Sequence, residues 1–169
     1  MLEACGVPHA VIGAAALAAH GVTRATADLD LLVTDPRCLD AAVWGPLSAT
    51  GSTVDIRRGD AADPLAGVVR VSATDEVPVD VIVGRARWQE AIVRRAPRGD
   101  IAGARVPIVR PTDLVLLKLY AGGPQDAWDV DQLLDAAPGI EGEVEAELEP
   151  LPPECGALWR RIVGGRAKA

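Results

Sequence analysis

Two aspartates separated by a single leucine, Asp28 and Asp30, open the otherwise apolar run D-L-D-L-L-V that ends at Val33. Alternate side chains of a strand share a face. A strand here therefore sends both carboxylates to one side and Leu29 and Leu31 to the other. Two like charges held that close repel each other unless a cation sits between them. Oxygen-only ligands suit Mg²⁺, which takes one or two protein carboxylates, keeps some waters and binds substrate phosphates. Just upstream, V-I-G-A-A-A-L-A-A-H-G reads as a short strand ending at Gly13, a small-residue helix over 14–20 and a stop at Gly21. The free N–H groups of a glycine turn that opens a helix can receive phosphate oxygens. These two pieces point to a metal–nucleotide site.

The rest of the chain alternates strand and helix signals, an α/β (α+β) pattern with helices at the C-terminal end. Residues 1–8 read as a ragged lead-in. T-D-P-R starts a helix expected to run over 36–48, with Leu39, Ala42, Val43 and Leu47 on one stripe. Strands are expected over 53–58, 68–72 and 77–83. The last, V-P-V-D-V-I-V, places Asp80 in an apolar run. A bare charge there is costly without a balancing partner. The partner expected is a metal, the alternative a salt bridge to a nearby arginine.

A helix over 86–95 and a hairpin over 100–108 come next. P-T-D-L-V-L-L-K-L-Y-A then forms a helix apolar nearly all round, which should be central and buried. Lys118 lies inside it, in a chain that otherwise favours arginine. It either snorkels to water or aims its charge at a phosphate. The following helix carries Asp126 and Asp129 on one face. Those acids either complement the helix dipole or partner Lys118. An acidic helix, a proline-rich break and a short basic helix around Trp159 complete the chain. The division expected is one main domain over 1–136 and a dependent helical tail over 137–169.

The formal net charge is −7, which disfavours a general nucleic-acid coat, since neutralising phosphates takes a basic face. No apolar run is long enough to span a bilayer, and no signal peptide is evident at the N-terminus. Cys5, Cys38 and Cys155 are far apart and odd in number, so no zinc site or disulfide framework is indicated. A cytoplasmic setting is expected.

Taken in order, these residues resemble the nucleotidyltransferase superfamily, with its DNA polymerase beta-like fold, and look closest to the AbiEii-type toxin branch and its small relatives. The resemblance covers residues 9–136. Ile12-Gly13-Ala14 matches the strand-to-helix signature, although Ala14 stands where Gly or Ser is usual. Asp28-Leu29-Asp30 matches the second signature, and Asp80 the later carboxylate. Asp113-Leu114, Lys118, Asp126 and Asp129 match a further pattern, in which Gly123 replaces a basic residue. The resemblance implies a mixed twisted sheet flanked by helices.

It also implies Mg²⁺ (or Mn²⁺) held by Asp28, Asp30 and Asp80, and a bound NTP whose phosphates meet Gly13, Ala14 and Lys118 while Arg24 and Thr26 line the approach. Asp126 and Asp129 would give support. The reaction implied moves NMP to a hydroxyl of an RNA such as tRNA, a protein or a small molecule, and releases pyrophosphate. The alternative is a catalytically weak or inactive nucleotide-binding relative that acts as an antitoxin-like or regulatory partner. A cognate toxin or antitoxin is the partner this branch suggests.

Overall fold

The computed structural model describes residues 1–166. The strands are β1 (His9–Val11), β2 (Leu29–Val33), β3 (Thr53–Arg58), β4 (Gly67–Ser72), β5 (Val79–Val83), β6 (Arg98–Ile101) and β7 (Ala104–Pro107). The helices are α1 (Gly13–Ala19), α2 (Ala41–Ala49), α3 (Arg87–Arg95), α4 (Pro111–Ala121), α5 (Pro124–Ala136), α6 (Glu141–Ala146) and α7 (Pro153–Arg166), and a 3-10 turn covers Pro36–Leu39. The chain divides into two units. One comprises Met1–Ala15 and Ala25–Val109, the other Ala16–Arg24 and the described chain from Arg110 onward.

The first unit is built on a five-stranded mixed sheet in the order β1-β2-β5-β4-β3. Only β2 and β5 run parallel, and their register sets Leu29 opposite Val79, Asp30 opposite Asp80 and Leu31 opposite Val81. The other pairings are antiparallel. Side chains alternate along each strand, so one face gathers Val33, Val69, Val81 and Val83. These pack with Cys38, Leu39 and Trp44 into a hydrophobic cluster. The opposite face carries the aspartates. β6 and β7 form a separate hairpin.

Two expectations are corrected in this unit. Residues 1–8 are not a loose lead-in, because Leu2 and Val7 belong to the core cluster. The Val7 N–H donates to the Leu2 carbonyl at 2.9 Å, closing a turn through Gly6, whose φ is +64°. That turn docks two apolar side chains and so orders the start of the chain. The helix expected over 36–48 is two pieces. Asp35 accepts from the Arg37 N–H and starts the 3-10 turn. Asp40, in extended conformation, accepts from the Ala42 N–H at 3.0 Å and starts α2. Two aspartates that can each cap a helix, five residues apart, break one run into two. The expected stripe holds across the break at Leu39, Val43 and Leu47, which pack in or against the core cluster. It departs from expectation at Ala42, which is exposed, while Trp44 is buried and donates its indole N–H to the Cys38 carbonyl at 2.7 Å.

The second unit is helical. α4 has Pro111 at its first turn and ends at Gly122, whose φ of +69° is the left-handed conformation that glycine adopts without strain. As its sequence requires, α4 is largely buried, including Leu114, Val115, Leu116 and Leu119. α5, α6 and α7 all pack on it, and α7 also packs on α5. The acidic α6 is anchored by Val144 in the core and by a hydrogen bond from Thr112 Oγ1 to Glu143 Oε2 at 2.9 Å. Trp159 of α7 is also buried.

The cysteines give a direct test of this packing. Burial pushes the Cys38 thiol up to about 11, with the Asp35 carboxylate adding to the shift. Burial also raises Cys155, with Glu154 contributing. Cys5 is exposed. Thiolates, not thiols, attack disulfide reagents. At pH 8 an aromatic disulfide reagent is expected to label one thiol per native chain and three after denaturation. Fast native labelling of Cys38 would show that the cluster around Trp44 is not closed.

Candidate functional site

The sheet register builds this site. Arg70 on β4 lies opposite Asp80 on β5, and Asp80 lies opposite Asp30 on β2. The three residues thus form a row across adjacent strands, their side chains on one face. Asp28 precedes β2 by one residue and continues the alternation to the same face. Its carboxylate is oriented locally, since Thr26 Oγ1 donates to Asp28 Oδ1 at 2.9 Å and approaches the Asp28 carbonyl at 3.1 Å. Asp28, Asp30, Asp80 and Thr26 therefore come together in the first unit.

Gly13 belongs to the same neighbourhood. The Ile12 N–H donates to the Asp30 carbonyl at 3.0 Å, tying the end of β1 to β2. Gly13 has φ +60°, and a Cβ built on it would lie 1.9 Å from Asp30 Oδ2. Glycine is required twice over, for the left-handed backbone and for the space the carboxylate occupies. Ala14, next in α1, is buried, so its side chain turns inward and only its backbone amide can serve a ligand.

Gly13→Ala is expected to cost on the order of 3 kcal/mol, from left-handed strain plus overpacking. That should lower the melting temperature by roughly 6–12 °C. A melting curve that matches the wild type would mean that Asp30 does not pack against this turn.

Arg70 is the residue that sequence reasoning missed. Its Nη1 lies 2.7 Å from Asp80 Oδ2 and 3.6 Å from Asp28 Oδ2. The guanidinium neutralises part of the negative charge that the clustered acids create. Asp80 thus has the arginine partner named as its alternative. Asp80 Oδ1 is buried and, among the described residues, has no hydrogen-bond partner. The available signal was the arginine inside G-V-V-R-V-S, but only the strand register places it opposite Asp80.

Among the described residues, no group of three His, Cys, Asp or Glu side chains is arranged to hold a metal ion. The donor chemistry nonetheless fits Mg²⁺ or Mn²⁺. The oxygens are hard and anionic, one buried carboxylate oxygen lacks a partner, and Mg²⁺ commonly takes only one or two carboxylates beside water and phosphate.

The remaining predicted residues lie in the second unit and meet one another there. Lys118 Nζ contacts Asp126 Oδ1 at 2.8 Å and Asp129 Oδ2 at 2.7 Å. Arg24 Nη1 reaches the same Asp129 Oδ2 at 3.3 Å. Asp129 is fully buried and the Lys118 side chain is 11% exposed. The acids of α5 are therefore partners of Lys118, and Asp126 also accepts from the Gly123 N–H at 3.1 Å.

No protein-family model matches the chain, and no curated protein matches it. Solved structures do. The crystal structure of ANT(2")-Ia in complex with adenylyl-2"-tobramycin superposes with a TM-score of 0.55 at 20% identity, over 95% of this chain and 91% of that one. The lincomycin-bound lincosamide antibiotic adenylyltransferase LnuA gives 0.51 at 12% identity, over 80% and 91%. An antigenic nucleotidyltransferase-like protein from Paracoccidioides brasiliensis gives 0.50 at 16% identity, over 94% and 87%. The fold is that of the nucleotidyltransferases. The mixed sheet flanked by helices is the architecture expected from the sequence. None of these matches singles out the AbiEii-type branch. Among the described residues, no helix is long and apolar enough to cross a membrane.

Proposed function

We propose that the chain transfers a nucleoside monophosphate from an NTP to an acceptor hydroxyl and releases pyrophosphate. The single observation that carries this reading is the β2–β5 register, which aligns Asp30 with Asp80 on the sheet face that also bears Asp28. The fold likeness agrees with it, and the two adenylyltransferase structures point to a small hydroxyl compound before RNA or protein. The net charge of −7 likewise disfavours a long polyanion as acceptor.

In this reading Asp28 and Asp30 would hold Mg²⁺ or Mn²⁺, with Asp80 completing the set. The bound cation supplies charge neutralisation and in-line orientation of the phosphates. Thr26 fixes the rotamer of Asp28. The amides of the Gly13–Ala14 turn receive phosphate oxygens. Asp80 Oδ1, an acceptor without a partner, takes the proton of the acceptor hydroxyl. The hydroxyl oxygen bonds to the α-phosphorus as the bond from that phosphorus to the bridging oxygen breaks, and pyrophosphate leaves with the electron pair. Within the second unit, Lys118 uses two of its three N–H bonds on Asp126 and Asp129, and Arg24 is held by the same Asp129.

The test is incubation with each of the four NTPs, Mg²⁺ and separate pools of small hydroxyl compounds, tRNA and protein, read by mass spectrometry. One acceptor should gain the mass of one NMP, only with metal present. Failure to bind labelled nucleotide with either Mg²⁺ or Mn²⁺ would refute the proposal. A second reading, a nucleotide-binding relative that regulates a partner without transfer, is favoured by Arg70 standing between two of the acids. It predicts nucleotide binding with no product in any pool.

A further inference from the structure

Arg70 is the one cation within salt-bridge distance of Asp28 and Asp80 among the described residues. Its Nη1 is shared unequally, at 2.7 Å from Asp80 and 3.6 Å from Asp28. The side chain is 41% exposed, whereas that of Asp80 is 18% exposed. The guanidinium is thus open to solvent on its long stem, while the carboxylate is more enclosed. A divalent cation drawn to Asp28 Oδ2 and Asp80 Oδ2 would meet the Arg70 guanidinium on the same two oxygens.

We propose that Arg70 is the site's built-in counter-ion, which neutralises Asp28 and Asp80 until a divalent cation displaces it, and so sets the metal concentration at which the site fills. The inference rests on the metal part of the proposed function. Displacement must break one charge-assisted hydrogen bond and pull a positive charge away from two negative ones. Removing the arginine removes that competition and leaves the acids more attractive to metal.

The test titrates Mn²⁺ into the full chain without nucleotide, with bound metal read by electron paramagnetic resonance. Arg70→Gln should bind about tenfold more tightly than wild type, the worth of one such hydrogen bond. Arg70→Lys, which keeps the charge but loses the fork, should fall between the two. Arg57→Gln, on the exposed edge strand, should match wild type. Melting curves give an independent readout: in chelator Arg70→Gln should melt below wild type, and Mg²⁺ should raise its melting temperature more than it raises that of wild type.

Equal or weaker binding by Arg70→Gln overturns the inference, as does equal tightening by Arg57→Gln. If wild type and Arg70→Gln bind Mn²⁺ equally, only the competition is lost and the metal site stands. If neither binds, both the competition and the metal-dependent reading fall.

Discussion

On the proposed function, Asp30→Ala is expected to reduce nucleotide transfer by about a thousandfold or more, on the order of 4 kcal/mol of transition-state stabilisation. Of the three acids, Asp30 has the most constrained position. Its Cα pairs with that of Asp80 across the parallel strands, and its Oδ2 fills the space that makes Gly13 obligatory. The two carboxylates beside it on that face, Asp28 and Asp80, are already turned to the Arg70 guanidinium. Asp30→Asn should lose nearly as much, since the size is kept and the charge is not. Circular dichroism should show that both variants are folded. Single-turnover transfer from α-labelled NTP is the measurement, and activity within tenfold of wild type would remove Asp30 from the reacting centre.

Asp129→Asn is expected to be the most damaging change in the second unit, at about 3–5 kcal/mol of stability. Asp129 is fully buried and answers both Lys118 and Arg24. Neutralising it leaves two largely sheltered cations with only Asp126 to balance them. For a chain of this length the loss should appear as a drop of roughly 10 °C in melting temperature. Asp55→Asn offers the contrast, because Asp55 and Arg57 form an exposed pair on β3 that solvent screens. That substitution should leave the melting temperature within error of wild type. An Asp129→Asn protein as stable as Asp55→Asn would show that Lys118 and Arg24 are not held by this carboxylate.

Local chemistry made several elements legible before any coordinates. Proline at the first turn and glycine past the end bounded α4, and its all-round apolar surface marked it as buried. The Asp-Leu-Asp doublet identified the strand and the face that carries its acids. Asp80 was conspicuous as a charge within V-D-V-I-V. The readings that failed depended on information a linear pattern does not carry. The break at Asp40 was concealed because 36–48 fits a helical stripe, whereas the side chain of Asp40 satisfies the backbone better as a cap. Leu2 and Val7 gave too short a signal to declare a core role. Arg70 was missed because register across three strands decides which residues meet, and an arginine in an apolar strand does not name its partner. For Lys118 the sequence offered two roles, and Asp126 and Asp129 give its ammonium two partners within its own unit.

The division of the chain is not a simple head and tail. Its path changes unit inside α1, changes back after Arg24 and changes again after Val109. The stretch Ala16–Arg24 therefore belongs with helices encoded almost a hundred codons later. Ending the gene at Val109 would orphan that stretch, with the buried Leu17 and Val22 stripped of their companions. Beginning it at Arg110 would leave the later helices without the same piece, and with it the Arg24 contact to Asp129. During synthesis that early segment is made well before the helices it groups with, so the second unit can form only after the chain from Arg110 onward has emerged.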